Sequence, residues 1–478
     1  MVTSGYPLEV FHPYFGYGRV LTTRWAGTMV LVCFDSGLRK WLFTHRLKVL
    51  RRGEKTRPHP QAEKQELPAT LQDEKEAAKM VEAFRLGVVP QRHIENFTFG
   101  RDKEIRTVQE FLNGFRGGQA LIIDGPYGAG KTHILDYLSH LAINSNFAIS
   151  RVELDPFDVT PFRPRSFYRE VTRSFRWIGS EDQNEKDFRG FLKALSKRID
   201  KIPDLKRHPV LHLAASYIKE RSDVEESFWN WIEGERLMPQ AIYKKGNGFP
   251  TFLDYSTSAD FYCYLLSGVG FFLKNLGIKG LVILIDEGEN LEDLVYSWQR
   301  ERGFNFLKGL IMTAKNTQGL NSLGQLKRRV KATGKEDAGY IDEIGLIHSR
   351  IRPYPYLFEN PSRLFVVLSL TPSQWRYLRV LRGFLRSHEI IHLSPFMEVD
   401  YLTIFERLLL LYQRAYPSFS QDDKMKKFLK RFLWNRRYNI RTFIKGTIEG
   451  LDLLRHYPNL RKEDFLRLSN SLVHLRRL

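Results

Sequence analysis

The sequence predicts an α/β fold in which a buried parallel sheet is flanked by helices. Continuous apolar runs end in polar residues at 120–124, 280–287 and 364–371, as buried parallel strands do. A glycine-rich loop follows the first run, and apolar residues at helical spacing follow that loop at 134–141. Because strand-like and helix-like patterns alternate, these strands are expected to lie parallel in one sheet.

The composition is that of a folded chain with a strong positive charge. The 478 residues are enough for about two or three domains. A hydrophobic content of 42% excludes wholesale disorder. The only two cysteines, Cys33 and Cys263, exclude a disulfide framework and a cysteine-rich zinc site. The net charge of +20 predicts a polyanionic partner, nucleic acid before an anionic membrane.

No secretory or membrane segment is expected. The N-terminal residues lack a basic start followed by an apolar stretch. No uncharged apolar run reaches the roughly 18 residues that a transmembrane helix requires. The chain is therefore expected to be soluble and cytoplasmic, and not to act on membranes.

A phosphate-binding loop is the strongest signal in the chain, because residues 125–132 fit the pattern G-x-x-x-x-G-K-[ST]. Glycines let backbone N–H groups converge on phosphates, and the N-terminus of the following helix adds partial positive charge. Lys131 is expected to contact the β- and γ-phosphates, and Thr132 to offer its hydroxyl to Mg²⁺. The residues predicted to bind ATP are Gly125, Pro126, Tyr127, Gly128, Ala129, Gly130, Lys131, Thr132 and His133.

Two carboxylates follow the apolar run at 281–285. Asp286 is predicted to contact Mg²⁺ through its water shell, and Glu287 to polarise the water that attacks the γ-phosphate. A solvated strand end is the alternative for such a pair, but a phosphate loop upstream favours the metal site. The pair therefore predicts ATP hydrolysis, with Lys131 and Glu287 as catalytic residues.

The strand predicted at 364–371 ends in polar residues. In ATPases of the additional-strand type, a polar residue ends the strand that lies between the phosphate loop and the metal-binding strand. Ser369 or Thr371 is accordingly a candidate sensor of the γ-phosphate or of the attacking water. An ordinary strand-to-loop turn is the alternative.

The C-terminal region, 396–478, has helical patterns and resembles the small helical lid of the AAA+ class. In that class a sensor arginine opens a lid helix, which makes Arg441 the candidate catalytic contact to the γ-phosphate. If subunits assemble into a homo-oligomer, an arginine finger is also expected, and Arg382 and Arg386 are the two options. The resemblance implies an AAA+-like P-loop ATPase core at 76–395, followed by this basic lid.

Residues 1–50 read as short strands with turn signals, for example at 16–18. The strings at 12–20 and 32–42 resemble the Tudor- or SH3-like β-barrels attached to repair helicases and transcription-coupling factors. In those families the barrel docks a protein, often RNA polymerase, so the resemblance implies a docking role. A strand-rich cap without a partner is the alternative.

A linker is predicted between this module and the core. Residues 51–75 mix charges with prolines and show no apolar periodicity. Helical spacing of apolar residues from Ala77 to Phe84 predicts a helix that starts near Leu71.

The body of the chain shares several strings with one family. They are FRLGVVP (84–90), GAGKTH (128–133), NFAIS (146–150) and GLVILIDE (280–287). A Gly-Arg-x-x-Glu box at 100–104 is similar to the one that begins the nucleotide domain of origin-recognition and signalling ATPases, near the adenine. Over roughly 78–450 the chain resembles the P-loop ATP-binding proteins of bacteriophage-exclusion (BREX-type) defence systems. Those proteins are encoded beside large helicases, so the resemblance implies DNA-directed defence or repair with a helicase partner.

Two basic regions are candidates for nucleic-acid contacts. In the first, arginines recur at i, i+4 and i+8 with aromatic residues between them, which suits phosphate neutralisation with base stacking. The second is the densest basic cluster of the C-terminal region. The candidate residues are Arg165, Arg169, Arg173, Lys427, Arg436 and Arg437. A solvated charged surface is the alternative for either region.

Together these features predict an ATP-dependent motor or switch that binds ATP and Mg²⁺, hydrolyses ATP and changes its grip on DNA or on a helicase partner. The alternative is a nucleotide-gated adaptor that turns over slowly and recruits a helicase or RNA polymerase through the N-terminal barrel. Residues 178–260 are expected to form an inserted helical subdomain, and 327–352 a loop.

Overall fold

A computed structural model describes most of the chain. The described residues are 9–12, 16–24, 29–34, 39–43, 48–49, 73–86, 91–179, 184–221, 223–235, 252, 256–330, 336–371, 376–394, 396, 398–419, 429, 440–458 and 463–464. The chain divides into two compact units. Unit one comprises Met1–Asp102, Gly125–His133 and Leu393–Leu478, and unit two comprises Lys103–Asp124 and Ile134–His392.

The secondary structure of the described residues is mixed. The strands are β1 (Glu9–His12), β2 (Gly16–Arg24), β3 (Met29–Phe34), β4 (Arg39–Phe43), β5 (Lys48–Val49), β6 (Gln119–Asp124), β7 (Ala148–Glu153), β8 (Trp177–Ile178), β9 (Glu185–Lys186), β10 (Leu281–Asp286), β11 (Lys327–Val330), β12 (Glu336–Ile341), β13 (Ile347–His348), β14 (Leu364–Leu370) and β15 (Ile390–His392). The α-helices are α1 (Glu74–Leu86), α2 (Asp102–Asn113), α3 (Lys131–Asn144), α4 (Pro164–Arg173), α5 (Phe188–Lys197), α6 (Pro209–Lys219), α7 (Glu226–Ile232), α8 (Ala259–Leu273), α9 (Ser297–Ala314), α10 (Arg376–Gly383), α11 (Glu398–Ala415) and α12 (Ile440–His456).

The N-terminal part of unit one is an antiparallel sheet with the strand order β4-β3-β2-β1-β5. Val10, Val30 and Val32 are buried, and in β3 the two buried valines alternate with the half-buried Leu31 and Cys33. The predicted turn at 16–18 is wrong: these residues open β2, and Gly16 pairs with His12 of β1. The sheet confirms that this region is built of strands, whereas its closure into a Tudor- or SH3-like barrel stays a prediction.

The helices of unit one form a second hydrophobic core. In α1 the buried residues are Ala77, Met80, Val81 and Phe84, which confirms the helical spacing read from the sequence. They pack with apolar residues of α11 and α12. The side chain of Arg85 joins α1 to Asp452 of α12 through two hydrogen bonds of 3.0 Å. The predicted domain boundaries placed α1 with the core at 76–395, but its packing partners are the C-terminal helices. Of the predicted linker, residues 51–72 lie outside the described part of the chain.

The centre of unit two is a five-stranded sheet with the order β15-β6-β14-β10-β7. All its neighbouring strands are parallel, as predicted for an α/β fold. Every residue of β10 and β14 is buried, because helices cover both faces of such a sheet. β14 lies between β6 and β10, as predicted. Since parallel strands end at the same edge, β6, β14 and β10 deliver the residues that follow them to one side of the sheet.

The described residues between β7 and β10 are largely helical, as expected of the inserted subdomain. α5, α6 and α7 bury their apolar faces in the core of unit two. Every residue of α8 is buried, which explains why that helix is apolar on all sides. The loop predicted at 327–352 is wrong, because β11, β12 and β13 form an antiparallel sheet there. Their short and mostly polar sequences lack the apolar alternation by which strands are recognised.

Candidate active site

The phosphate-loop sequence directly follows β6, and α3 begins at Lys131. Gly128 and Gly130 have φ values of 78° and 87°, in the left-handed region that glycine adopts at little cost. The amide of Ala129 donates to the carbonyl of Pro126 at 3.1 Å, which closes a tight turn. Lys131 is 7% exposed, and its Nζ donates to the carbonyl of Gly125 at 3.3 Å. The ammonium group is thus folded back over the loop.

Arg101 forms a hydrogen bond with the backbone of the phosphate loop. Its guanidinium donates to the carbonyl of Ala129 at 2.6 Å and to the carbonyl of Ser394 at 2.8 Å. It also lies 4.3 Å from the centre of the Phe396 ring, a cation–π contact. Arg101 is 3% exposed, so these bonds are shielded from water. Sequence reasoning assigned the 100–104 box to the adenine region and missed this contact with the loop.

His133 belongs to the same unit and contacts the segment before the 100–104 box. The hydroxyl of Thr98 donates to the carbonyl of Ile94 at 2.6 Å, so it accepts from Nε2 of His133 at 2.8 Å. Burial and the nearby Arg101 charge lower the pKa of His133 to about 4. A neutral histidine therefore ties the start of α3 to that segment.

Asp286 ends β10 and is 2% exposed. Its Oδ1 accepts from the hydroxyl of Ser369 on β14, and from the amide of Glu287 at 3.0 Å. Its Oδ2 accepts from Nη2 of Arg151 on β7 at 3.1 Å. Three strands of the sheet thus fix one carboxylate. Ser369, a predicted sensor, contacts the predicted metal-binding residue.

Glu287 occupies a special backbone position. Its φ and ψ of 55° and 42° lie in the left-handed region, which is costly for residues other than glycine. The next residue, Gly288, comes so close to β14 that a Cβ would lie 2.7 Å from the carbonyl oxygen of Ser369. The chain therefore turns sharply after Asp286. Strained backbone of this kind is common at functional sites.

Thr371, the other predicted sensor, is held by Glu289. The amide of Thr371 donates to Glu289 Oε2 at 3.0 Å, and its hydroxyl donates to Oε1. Glu289 was missed in the sequence because it follows the carboxylate pair in a short 3₁₀ turn, where only the fold reveals its partner.

The three candidate arginines of the nucleotide site have different surroundings. Arg382 forms an ion pair with the buried Asp124, the last residue of β6, and His392 bonds the same carboxylate at 2.6 Å. Arg386 is exposed and precedes a 3₁₀ turn at Ser387–Glu389. Arg441 is exposed in the first turn of α12. Their roles as finger or sensor stay predictions.

The arginines of α4 that were predicted to contact nucleic acid form hydrogen bonds and ion pairs within the protein. Arg165 donates to the carbonyls of Gly234 and Glu235, each at 3.0 Å. Arg169 pairs with Asp158 at 3.0 Å, and Arg173 with Glu235 at 2.5 Å and with Glu170 at 3.0 Å. The other candidates, Lys427, Arg436 and Arg437, lie outside the described residues.

The donor groups fit Mg²⁺ better than a transition metal. Among the described residues, no group of three or more His, Cys, Asp and Glu side chains could hold a metal ion. Mg²⁺ instead takes one or two protein oxygens, with nucleotide phosphates and waters completing its shell. The buried carboxylate of Asp286 is a ligand of this kind.

In the described part of the chain, no helix combines the length and the hydropathy that crossing a bilayer demands.

Comparison with known proteins identifies the family. The sequence model of the family described as BREX system ATP-binding protein BrxC/D matches residues 73–184 and 179–324. These matches contain the phosphate loop and both carboxylates, and together they span more than half of the 478 residues. The chain has no match among curated proteins. The resemblance read from the sequence is thus confirmed, and the chain belongs to the family of BREX system ATP-binding proteins, which serve in defence against bacteriophages.

Proposed function

We propose that the chain binds ATP with Mg²⁺ at the phosphate loop and hydrolyses it, as a member of the AAA+-like P-loop class. The observation that carries the proposal is the strand order β15-β6-β14-β10-β7. β6 ends in Asp124, directly before Gly125 in the sequence, and β10 ends in Asp286 at the same edge of the sheet, with β14 between the two strands. A parallel sheet binds ligands at this edge.

Each residue of the two motifs has a role in this proposal. The backbone of 125–130 cradles the β- and γ-phosphates, and Lys131 places a positive charge on them. Thr132 and Asp286 hold Mg²⁺, which neutralises charge that develops on the phosphates. Glu287 orients the attacking water and accepts its proton. Arg441 is the proposed γ-phosphate sensor, and Arg382 or Arg386 the finger of a homo-oligomer.

ATP turnover is proposed to drive an action on DNA, together with a helicase or another defence or repair protein in the cytoplasm. The net charge of +20 supports contact with a polyanion. Contacts through lysine and arginine would go to phosphates, so binding should weaken steeply with salt and depend little on sequence. The C-terminal Lys427, Arg436 and Arg437 are proposed for this role with the arginines of α4.

A nucleotide-gated adaptor is the second candidate, and one observation favours it. Arg165, Arg169 and Arg173 already have acceptors within the protein, so releasing them to DNA would cost ion pairs and hydrogen bonds. The adaptor would turn over slowly and recruit a helicase or RNA polymerase through the N-terminal sheet.

ATP turnover with and without DNA tests both candidates. The motor predicts a severalfold stimulation of hydrolysis by single-stranded or duplex DNA, whereas the adaptor predicts slow turnover that is indifferent to DNA. Glu287→Gln should bind ATP and fail to hydrolyse it, and Lys131→Ala should lose ATP binding. Unchanged hydrolysis in both variants would contradict the proposed site.

A further inference from the structure

Arg151 is a charged residue in the middle of a strand that is otherwise mostly buried. The three preceding residues of β7, Ala148, Ile149 and Ser150, are buried, and Arg151 pairs in register with Leu284 of β10. A long cation at such a position loses rotamer freedom and hydration, and therefore needs strong partners. Its side chain is 27% exposed, so most of it is enclosed by protein.

The guanidinium of Arg151 bridges two carboxylates. Nη1 forms a hydrogen bond with Oδ1 of Asp136 on α3, and Nη2 donates to Oδ2 of Asp286 at 3.1 Å. The planar guanidinium can engage two acidic groups at fixed angles, which a lysine ammonium cannot reproduce. Asp286 is thereby connected to the helix that follows the phosphate loop.

The two oxygens of Asp286 have separate donors. Oδ1 accepts from Ser369 and from the amide of Glu287, and Oδ2 accepts from Arg151. Donors on both oxygens hold the plane of the carboxylate, and Arg151 supplies the one on Oδ2. Asp136 in turn fixes Arg151, and it follows Thr132 by four residues, one turn of α3.

We propose that Arg151 is a positioning residue that orients the Asp286 carboxylate for the metal by tying it to Asp136. The inference rests on the proposed function, because it assigns a task at the same site. Partners that orient a metal-binding residue typically change metal affinity by about 10–100-fold when they are removed. Arg151 acts through Asp286 and touches neither ATP nor metal in this proposal.

The test is equilibrium binding of a fluorescent ATP analogue, titrated with Mg²⁺ and, separately, in EDTA. For Arg151→Met we expect the Mg²⁺ concentration for half-maximal binding to rise about tenfold or more. Binding in EDTA should stay within about twofold of wild type, since Arg151 does not face the phosphates in this proposal. Asp136→Asn should also raise the Mg²⁺ concentration for half-maximal binding, but by less than Arg151→Met does. Arg151→Lys keeps the positive charge but cannot bridge the two carboxylates, so its Mg²⁺ concentration for half-maximal binding should lie between those of wild type and Arg151→Met. If the Met variant does not fold, the Lys variant is used for the test.

Arg189→Met is the matched control. Arg189 also bridges two carboxylates, Glu226 at 2.6 Å and Glu233 at 2.7 Å, in the inserted helical part of unit two. Arg189→Met should lower the melting temperature and leave the Mg²⁺ concentration for half-maximal binding unchanged. A folded Arg151 variant with a wild-type Mg²⁺ titration, or with equal losses in Mg²⁺ and in EDTA, would overturn the inference and leave the proposed function standing. Wild-type protein that shows no Mg²⁺-dependent binding of the analogue would overturn both.

Discussion

Ser369 donates its hydroxyl to the Asp286 carboxylate across the neighbouring strands β14 and β10. Both residues are buried, so removing the hydroxyl leaves a carboxylate oxygen with one donor fewer in a site that water reaches poorly. We expect Ser369→Ala to lower the free energy of unfolding by about 1–2 kcal/mol. We also expect ATP hydrolysis to fall about tenfold, because Asp286 loses part of its orientation. Urea unfolding and steady-state turnover measure the two effects.

Ser150→Ala is the control for this substitution. Ser150 is a buried serine of the same sheet, but its hydroxyl donates to the carbonyl of Val171 at 2.9 Å and does not bond Asp286. It should cost similar stability and leave turnover unchanged. If the two variants lose turnover equally, the contact with Asp286 has no special importance for the site.

Arg382 and Arg386 should differ in their effects on stability. Arg382 neutralises Asp124, which is buried at the end of β6, and among the described residues His392 is the other basic side chain paired with that carboxylate. Arg382→Ala should therefore destabilise the nucleotide-free protein by about 2 kcal/mol. Arg386 is exposed, so Arg386→Ala should change stability by less than about 0.5 kcal/mol. Equal melting temperatures for the two variants would contradict the importance of the Asp124 pair.

Arg101 should be needed for tight ATP binding. Its bond to the carbonyl of Ala129 sets the path of the phosphate loop, and lysine cannot make that bond together with the one to Ser394. Arg101→Lys should weaken ATP binding about tenfold, a loss of about 1.4 kcal/mol. Arg106→Ala, at an exposed arginine of α2, is the control and should bind ATP like wild type. Calorimetric titration with ATP compares them.

The phosphate loop and the strand that ends in Asp286 could be predicted from the sequence because their chemistry needs contiguous residues. The phosphate loop must place glycines and a lysine in one turn, and the buried strands before it and before Asp286 must be continuously apolar. The contacts of Arg101, Arg151 and Glu289 were not recognised, because their partners lie far away along the chain. A lone arginine in a strand becomes meaningful only when register and helix packing bring two carboxylates to it.

The packing partners of α1 could not be predicted from the sequence. The helical pattern of α1 was correctly read, since its buried positions repeat at helical spacing. Nothing in that pattern says which apolar surface the helix covers. Its partners, α11 and α12, begin more than 300 residues later, so the packing of α1 is known only from the fold.

His348 should make stability depend on pH in the alkaline range. Its Nδ1 donates to the carbonyl of Tyr354 at 3.0 Å, and its Nε2 to Asp342 at 2.9 Å. Burial opposes its charge, but the carboxylates of Asp260 and Asp342 prevail and raise its pKa from 6.5 to about 9. Because the folded state binds this proton more tightly, the contribution is complete below pH 6.5 and is lost as the pH rises through 9.

The comparison of wild type with His348→Gln isolates this effect. The difference between their free energies of unfolding, from urea titrations at several pH values, should shrink between pH 6.5 and 9. Other groups titrate in both proteins and cancel in the difference. A difference that stays constant over that range would show that His348 is not charged in the folded protein.

The backbone strain at Glu287 should appear as a difference in stability between Glu287→Gly and Glu287→Ala. Glycine and alanine both delete the carboxylate, so both variants should bind ATP and fail to hydrolyse it. Their stabilities should differ, because Glu287 has a φ of 55°, which alanine adopts at a cost and glycine does not. Glu287→Gly should therefore be more stable than Glu287→Ala by about 0.5–1 kcal/mol, whereas glycine is the less stable of the two at ordinary helix or strand positions. Thermal unfolding without nucleotide measures the order, and a less stable glycine variant would show that the left-handed turn after Asp286 is not maintained in solution.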